Sequence, residues 1–293
     1  MSVVELPSAV SRPTVITEPG LYSISEAEYH GDPVPVGSLS SSGARRLLPP
    51  SCPAKFAYER ENGRAPQPDF DLGHVAHHRL LGSGPEIVVV DAPDWRTKAA
   101  REQRDAAHAV GAAPLLAKDY QRVLEMVEAL RRHPLANALF DPTTGDAEQS
   151  AFWVDEETGV WRRARFDFLR NRVSGRPVVV DYKTTESAER EHIRRAVSRY
   201  GYHQQDPWYL DAVTALGLGE DAGFLFVFQE KTPPYLVTVV ELEEPDRASG
   251  RAQNRKAIEV YRQCVETGRW PGYADDIVPI SLPPWHRTEE FSQ

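Results

Sequence analysis

The hydrophobic pattern of the chain changes its period near residue 150, and this change constrains the fold more than any other feature. Upstream, four apolar residues recur at i, i+3, i+4 and i+7, the pattern of an amphipathic helix that we expect to end before Pro134. They are Val123, Met126, Val127 and Leu130. Downstream, three segments have strand patterns and are separated by turns at 156–159 and 171–175. The predicted strands are 151–154, 160–169 and 177–183.

Caps, prolines and glycines mark further elements. We expect helices at 44–48, 52–60, 71–81, 96–109, 187–199 and 252–266. A strand pair at 224–229 and 235–242 surrounds Pro233-Pro234, and the segment 111–114 breaks the pattern. This order predicts an α/β fold with a mixed, mostly antiparallel sheet flanked by helices and a helical N-terminal part. We expect one domain over 38–293 after an arm over 1–37, whose start is a loose segment or an early edge strand.

Composition excludes several classes of protein. The chain has 293 residues, 41% of them hydrophobic, which allows a sizeable core. No apolar run approaches about 18 residues, so we expect no membrane span. The N-terminal residues do not have the pattern of a secretory signal, so we expect none. Cys52 and Cys264 are too few for a four-cysteine zinc or iron–sulfur site within one chain. A cytoplasmic protein with reduced thiols is the simplest interpretation.

The formal net charge of −9 counts against a DNA binder that relies on its overall charge. A local basic groove can nevertheless coexist with an acidic exterior. Arginines before and after the third predicted strand form the densest basic region, and arginine suits bidentate contacts to phosphate. The candidates for DNA contact are Arg163, Arg165, Arg194 and Arg195. Alternatively, Glu186, Glu189 and Glu191 pair with the second group on a solvated helix face.

Asp181-Tyr182-Lys183 ends the third predicted strand and lies 14 residues after Asp167. Because alternate side chains of a strand share a face, Asp181 and Lys183 lie side by side and Tyr182 points away. If the turn near Val173 is the midpoint of a hairpin, Asp167 and Asp181 are diagonal neighbours on one face. A register slip of one residue would place them on opposite faces.

Two carboxylates, a backbone carbonyl and waters suit Mg²⁺, which prefers oxygen ligands. Such an ion polarises a phosphoryl oxygen and activates a bound water, while Lys183 orients that water or stabilises the developing charge. This is the arrangement that a metal-dependent nuclease needs. A solvated hairpin with surface salt bridges has the same pattern, because Asp-x-Lys is a common tripeptide.

The ordered set Glu148, Asp167, Asp181-Tyr182-Lys183, Gln205 and Tyr209 resembles the PD-(D/E)XK nuclease superfamily. More closely, it resembles the RecE-type exodeoxyribonuclease VIII group of phage and prophage proteins, over about residues 38–287. The resemblance also rests on the segments 39–44, 52–56, 73–77, 200–203, 226–235 and 270–273. It implies a Mg²⁺-dependent nuclease, with Mn²⁺ as a substitute, that degrades linear duplex DNA from the 5′ end. It further implies a single-strand annealing protein as partner and a homo-oligomer, for example a ring.

The resemblance also assigns roles to residues. It implies that Asp167, Asp181 and the carbonyl of Tyr182 bind the metal and that Lys183 is the catalytic lysine. Glu148 matches an upstream acidic position that helps to build the site. His77 best matches a histidine on a helix that is typical of this branch, and the resemblance counts it among the metal residues.

Gln205 and Tyr209 are four residues apart, so they share a helix face. The resemblance implies that both are catalytic residues beside the lysine, or that they lie against DNA. Pro207 lies between them, and proline fits only the first turn of a helix. We therefore expect this helix to begin at about Gln205 or Asp206, which places Gln205 at its rim. An ordinary amphipathic helix has the same spacing.

Three histidines, His74, His77 and His78, lie at i, i+3 and i+4 and could gather on one helix face. A zinc site would need at least one further ligand, and no second cluster is obvious in the sequence. Solvent-facing histidines on a helix are the alternative.

We therefore expect an exodeoxyribonuclease for linear double-stranded DNA that acts in phage-type recombination, in the host cytoplasm if it is phage-encoded. One alternative is an endonuclease of the same superfamily. Another is a non-catalytic DNA-binding or assembly protein on a decayed nuclease fold, although all the acidic and lysine positions are present.

Overall fold

A computed structural model describes residues 14–63, 72–82, 86–171 and 175–282, without the side chains of Leu72 and His74. The strands are β1 (Gly20–Tyr22), β2 (Leu39–Ser40), β3 (Ile87–Val90), β4 (Ala113–Leu116), β5 (Gly145–Val154), β6 (Trp161–Arg170), β7 (Val178–Thr185), β8 (Gly223–Glu230) and β9 (Val237–Val240). The helices are α1 (Glu26–His30), α2 (Ser41–Arg46), α3 (Pro53–Asn62), α4 (Leu72–Leu81), α5 (Lys98–Ala109), α6 (Ala117–Arg132), α7 (Pro134–Leu139), α8 (Arg190–Tyr200), α9 (Tyr202–Ala215) and α10 (Glu244–Thr267).

The main sheet has the strand order β1-β5-β6-β7-β8-β9, and the short strand β2 also pairs with β6. The β1–β5, β5–β6, β6–β7 and β8–β9 pairs are antiparallel, whereas β7–β8 and β2–β6 are parallel. The parallel pair β7–β8 is connected through α8 and α9, as a parallel connection requires a crossover. The predicted mixed, mainly antiparallel sheet flanked by helices is thus confirmed.

Two hydrophobic cores lie on opposite faces of this sheet. Helices α2, α9 and α10 cover one face, where Trp153, Phe166 and Trp208 are fully buried. Helices α4, α6 and α7 cover the other face, where Met126 and Leu130 of α6 pack against strand residues. The four apolar positions predicted for the amphipathic helix are the buried positions of α6.

Residues 14–37 of the predicted N-terminal arm add to this sheet. Strand β1 pairs with β5 and forms an edge of the sheet. Ile16, Tyr29 and Val34 of the same segment pack against Phe152 of β5. Helix α1 begins with a capping box, in which the side chains of Ser25 and Glu28 each accept a backbone N–H of the other residue. Residues 1–13 of the arm lie outside the described residues. Among the described helices, none combines the length and apolar character that a membrane crossing requires.

The expected start of α9 at Gln205 or Asp206 is wrong, because the helix begins at Tyr202 and contains Pro207. Proline lacks the N–H that would bond to the carbonyl of His203. Helix α10 packs closely against α9 where this hydrogen bond is missing. Gly250 allows the approach, because a Cβ there would overlap the His203 carbonyl oxygen, and Asn254 Nδ2 donates to the Gln204 carbonyl at 2.8 Å. A neighbouring helix therefore makes the proline tolerable inside α9.

The segment 111–114 was expected to break the pattern, but β4 begins at Ala113 and includes Pro114. It pairs in parallel with β3 in a separate two-stranded sheet, where an edge strand tolerates proline. Helix α10 begins at Glu244, eight residues before the predicted start at 252. Pro245 in its first turn is compatible with this earlier start.

Candidate active site at a split in the sheet

Strands β6 and β7 pair only at their ends near the turn, and this partial pairing opens the sheet. Their ladder joins 168–170 to 178–180, after which β7 continues alongside β8 through Thr185. The same register places Asp167 directly opposite Asp181, not diagonally as the sequence predicted. Asp167 Oδ2 accepts a hydrogen bond from the backbone N–H of Tyr182 at 2.8 Å. At this point a side-chain oxygen therefore takes the place of a main-chain carbonyl of β6. The turn at Val173 lies outside the described residues.

Asp181 and Lys183 lie side by side on β7. Their Oδ2 and Nζ atoms are 2.5 Å apart, and Asp181 is only 1% exposed. Burial and the Asp167 carboxylate raise the pKa of Asp181, despite the opposing effect of Lys183. Burial lowers the pKa of Lys183, but the two carboxylates outweigh it and the net shift is upward. Lys183 is therefore an ammonium group.

Tyr182 points to the opposite face of β7, where its ring joins the α6-side core and its hydroxyl donates to Gln229 Oε1 at 2.6 Å. A strand residue directs its N–H and C=O towards the same neighbouring strand. Because the Tyr182 N–H bonds to Asp167, the Tyr182 carbonyl also faces β6. The donor set at the split thus comprises two carboxylates and a carbonyl, all oxygen ligands of the kind that Mg²⁺ prefers.

Helix α4 brings His77 to Asp167 and Glu148. His77 Nε2 lies 3.1 Å from Asp167 Oδ2, and His77 Nδ1 lies 3.4 Å from Glu148 Oε1. Burial lowers the pKa of His77, but Asp167, followed by Glu148, raises it to a net value of about 9. Gly73 lets α4 approach β7, because a Cβ there would overlap Thr184. His77 therefore balances the charge of the Asp167 and Glu148 carboxylates, which are mostly shielded from solvent.

Glu148 has a left-handed backbone, with φ of 55°, in the middle of β5. Non-glycine residues rarely adopt this conformation, and those that do cluster at functional sites. Strand β6, which lies opposite, is irregular at the same position. Phe166 packs in the core on the α9 side of the sheet, whereas Phe168, two residues later, packs in the core on the α6 side. The Glu148 carboxylate pairs with Arg165 Nε at 2.5 Å, while burial raises its pKa.

Helix α9 closes the split from the other side. Gln205 Nε2 donates to Asp181 Oδ1 at 2.6 Å and is buried, so it lies inside the site. It also lies within α9 and not at the rim of this helix as expected, because the helix begins at Tyr202. The ring of Tyr209 packs edge-on against Phe166 and Phe224. Burial raises the pKa of Tyr209 well above its usual range, so its hydroxyl stays protonated. The predicted set on α9 therefore faces Asp181.

A cleft of about 990 Å³ leads to these residues. Its walls include groups that were not predicted as site residues: Glu26, Tyr29 and His30 of α1, Ser40, Ser41, Ser42 and Arg45 around α2, and His78, His108, Thr184 and Tyr202. Lys183 Nζ lies 5.2 Å from the centre of the Tyr202 ring, a distance suited to a cation–π contact. The resemblance segment 200–203 was the only sequence signal for Tyr202, and α1 had none.

The four arginines proposed for DNA contact divide into two pairs. Arg163 bonds to the carbonyl and hydroxyl of Ser38 and pairs with Asp32 at 2.9 Å, so its guanidinium group is engaged within the fold. Arg165 lines the cleft but is held by Glu148. Arg194 and Arg195 are exposed on α8, and Arg194 pairs with Glu191, as the alternative interpretation expected.

A family model for a PDDEXK-like domain of unknown function (DUF3799) matches residues 40–280. The chain belongs to this family. Membership of a PDDEXK-like family agrees with the predicted superfamily, whereas the RecE-type branch stays a prediction. The nuclease-like domain therefore covers most of the chain, including every residue of the split. No curated protein matches the chain.

A solved structure supports the same fold. The chain is similar to the crystal structure of a protein named "Putative exonuclease" from Eubacterium rectale, with a TM-score of 0.56 and 12% sequence identity. The alignment covers 89% of this chain and 97% of that chain, and at this identity it shows the fold alone. The structure of SSO0001 matches with a TM-score of 0.29 and 13% identity over 68% of this chain and 84% of that chain, which is too weak for an argument.

Proposed function

We propose that this PDDEXK-like protein is a Mg²⁺-dependent exodeoxyribonuclease that hydrolyses linear double-stranded DNA from the 5′ end. The observation that carries the proposal is the convergence of Asp167, Asp181 and Lys183 where β6 and β7 separate. Two carboxylates and an ammonium group at the base of a cleft are the groups that metal-assisted phosphodiester hydrolysis uses. We expect Mn²⁺ to substitute for Mg²⁺.

The residues of the split fit a divalent cation. Burial and repulsion by the Asp167 carboxylate raise the pKa of Asp181, and a cation would offset this repulsion between the two carboxylates. Asp167, Asp181 and the Tyr182 carbonyl would hold it. Such an ion would supply Lewis acidity for the phosphoryl oxygen and would lower the pKa of a water. We assign His77 to the same metal site, since its Nε2 lies 3.1 Å from Asp167 Oδ2.

The other residues contribute charge and position. Lys183 is held as an ammonium group, so it stabilises negative charge on the phosphate and does not accept a proton. Gln205 fixes the orientation of Asp181 through its hydrogen bond. Tyr209 keeps its proton and therefore serves as a hydrogen-bond donor near Gln205.

We assign contacts with the DNA backbone to Arg194 and Arg195, which lie exposed on α8. Following the RecE-type resemblance, we propose a homo-oligomer that works with a single-strand annealing protein in phage-type recombination, in the cytoplasm. A basic channel within an acidic exterior would reconcile the net charge of −9 with DNA binding.

Digestion of linear and covalently closed circular duplex DNA, with Mg²⁺ or with a chelator, tests the proposal. We expect only the linear substrate with Mg²⁺ to be degraded. Equal cutting of circles would assign an endonuclease instead, and binding without cleavage would support the non-catalytic alternative. Strand-specific end labels, with and without a 5′ phosphate, determine polarity and end preference in the same assay.

A further inference from the structure

We propose that Tyr200 and Tyr202 form a stacking site for an unpaired nucleobase beside the cleft, and we call this pair the tyrosine step. The two residues lie on either side of Gly201, where α8 ends and α9 begins. Their ring centroids are 5.7 Å apart at an interplanar angle of 33°. The stacking site rests on the proposed function, since its ligand is the DNA strand that enters the same cleft.

The outer ring of the tyrosine step is open to solvent. Tyr200 is 51% exposed, whereas Tyr202 is half-buried and forms part of the cleft wall. Within the described residues, the ring of Tyr200 contacts Tyr202, and Arg199 Cζ lies 5.6 Å from its centre. A ring presented in this way can stack with any nucleobase, because every base has a π face.

The inner ring of the step is fixed to the strands that carry the split. Tyr202 contacts the rings of Phe226 and Phe228 of β8, at centroid distances of 5.5 and 5.9 Å. These phenylalanines are the strand partners of Asp181 and Lys183 on β7. A single exposed tyrosine on a surface needs no explanation, but this one continues a row of rings that begins at the catalytic strand.

The position of Lys183 relates the step to the phosphate of the substrate. Lys183 Nζ lies 5.2 Å from the centre of the Tyr202 ring, and Tyr200 is one ring further out. In the proposed function, Lys183 stabilises negative charge on the phosphate that is cleaved. A base of an adjoining nucleotide would then lie near the tyrosine step.

Basic groups flank the step. Arg199 lies beside the Tyr200 ring, and Gly201 packs closely against Arg45 of the cleft wall. A Cβ at Gly201 would overlap the Arg45 side chain, and the φ of 66° also favours glycine. Aromatic rings among positive groups are typical of surfaces that bind single-stranded nucleic acid, where the cations follow the phosphates and the rings stack with the bases.

The ligand class follows from the accessibility of the bases. Within a duplex, neighbouring base pairs cover both faces of each base, so a base must leave the stack before a side chain can contact its face. Leaving the stack is easiest where the base is already unpaired. The tyrosine step therefore takes a base of a frayed or single-stranded DNA end.

Binding of two single-stranded probes to the metal-free full chain tests this proposal: an oligothymidylate and an abasic strand of the same length. Tyr200→Ala should weaken binding of oligothymidylate by about 5- to 150-fold, the range that base–aromatic stacking provides, and leave binding of the abasic strand unchanged. Tyr200→Phe keeps a ring and should retain wild-type affinity. Tyr58→Ala is the matched control, since Tyr58 of α3 is also exposed, at 67%. We expect this control to have no effect.

Three results would overturn the stacking site. They are wild-type affinity of Tyr200→Ala for oligothymidylate, equal loss for both probes, and failure of Tyr200→Phe to restore binding. Cleavage of linear duplex DNA with Mg²⁺, measured on the same wild-type preparation, tests the proposed function separately. A wild type that cleaves while Tyr200→Ala binds normally would contradict only the stacking site. Loss of oligothymidylate binding in Tyr200→Ala without any wild-type cleavage would contradict only the nuclease.

Discussion

Gln205 donates a hydrogen bond of 2.6 Å from Nε2 to Oδ1 of Asp181, so helix α9 holds a carboxylate of strand β7 across the split in the sheet. Lys183 occupies the other oxygen of the same carboxylate. Asp181 is therefore fixed from two elements that are 22 residues apart in sequence at Lys183 and Gln205. This arrangement defines the orientation of the carboxylate before any cation binds.

Gln205→Leu removes that support and should raise the Mg²⁺ concentration for half-maximal cleavage by about tenfold or more, because partners of metal ligands influence metal affinity. The measurement is cleavage rate against Mg²⁺ concentration. Gln204→Ala is the control, since Gln204 is the adjacent buried glutamine and does not bond to Asp181. An unchanged half-saturation in Gln205→Leu would show that the bond has no role in cation binding.

Local pattern was sufficient to predict the elements that carry the carboxylates. Alternation placed Asp181 beside Lys183 and Tyr182 on the other face, and the 3.6-residue period located the buried face of α6. These features depend on neighbours in sequence. The superfamily resemblance then joined distant residues into one ordered set, and the PDDEXK-like family agrees with it.

Features that depend on contacts between distant elements could not be predicted in this way. Pro207 is tolerated inside α9 because Gly250 and Asn254 on α10 accommodate the altered carbonyls. Glu26 and His30 reach the cleft because β1 anchors their segment to β5. Neither effect leaves a periodic signal near the residue concerned.

The conformation of Glu148 gives a prediction about stability. Glu148→Gly should be more stable than Glu148→Ala by about 1 kcal/mol, the reverse of the usual order within a strand, because glycine adopts positive φ without steric cost. Urea unfolding of the two variants measures the difference. Both should lose activity, since both lack the carboxylate. Equal stability, or a more stable alanine variant, would show that the left-handed backbone is not maintained.

Asp206 gives a pH dependence of stability. It is fully buried, and burial, against the effect of Arg247, raises its pKa from 3.8 to about 6. The folded state therefore binds this proton more tightly, so stability falls as pH rises from about 4 to 6, by up to about 3 kcal/mol. In Asp206→Asn this contribution should vanish, and Arg247 keeps Glu241 at 3.0 Å. Parallel wild-type and variant curves of unfolding free energy against pH would contradict the assignment.

The arginines should separate into structural and DNA-contacting residues. Arg163 is 12% exposed and pairs with Asp32, so Arg163→Ala should cost about 3 kcal/mol of unfolding free energy. Arg195→Ala should leave the unfolding midpoint unchanged but weaken binding to duplex DNA and reduce the slope of log affinity against log salt by about one. Equal effects of both substitutions on stability would argue against this division.

The most direct test of the catalytic split is Mg²⁺-dependent cleavage of linear duplex DNA by the wild type, Asp181→Ala and Lys183→Ala. Asp246→Ala, which removes an exposed carboxylate of α10, is the control. We predict that each change at the split lowers the cleavage rate by at least about 100-fold while the metal-free melting curve stays cooperative, and that the control is unaffected. Near-wild-type cleavage by a folded Asp181→Ala or Lys183→Ala variant would contradict the account.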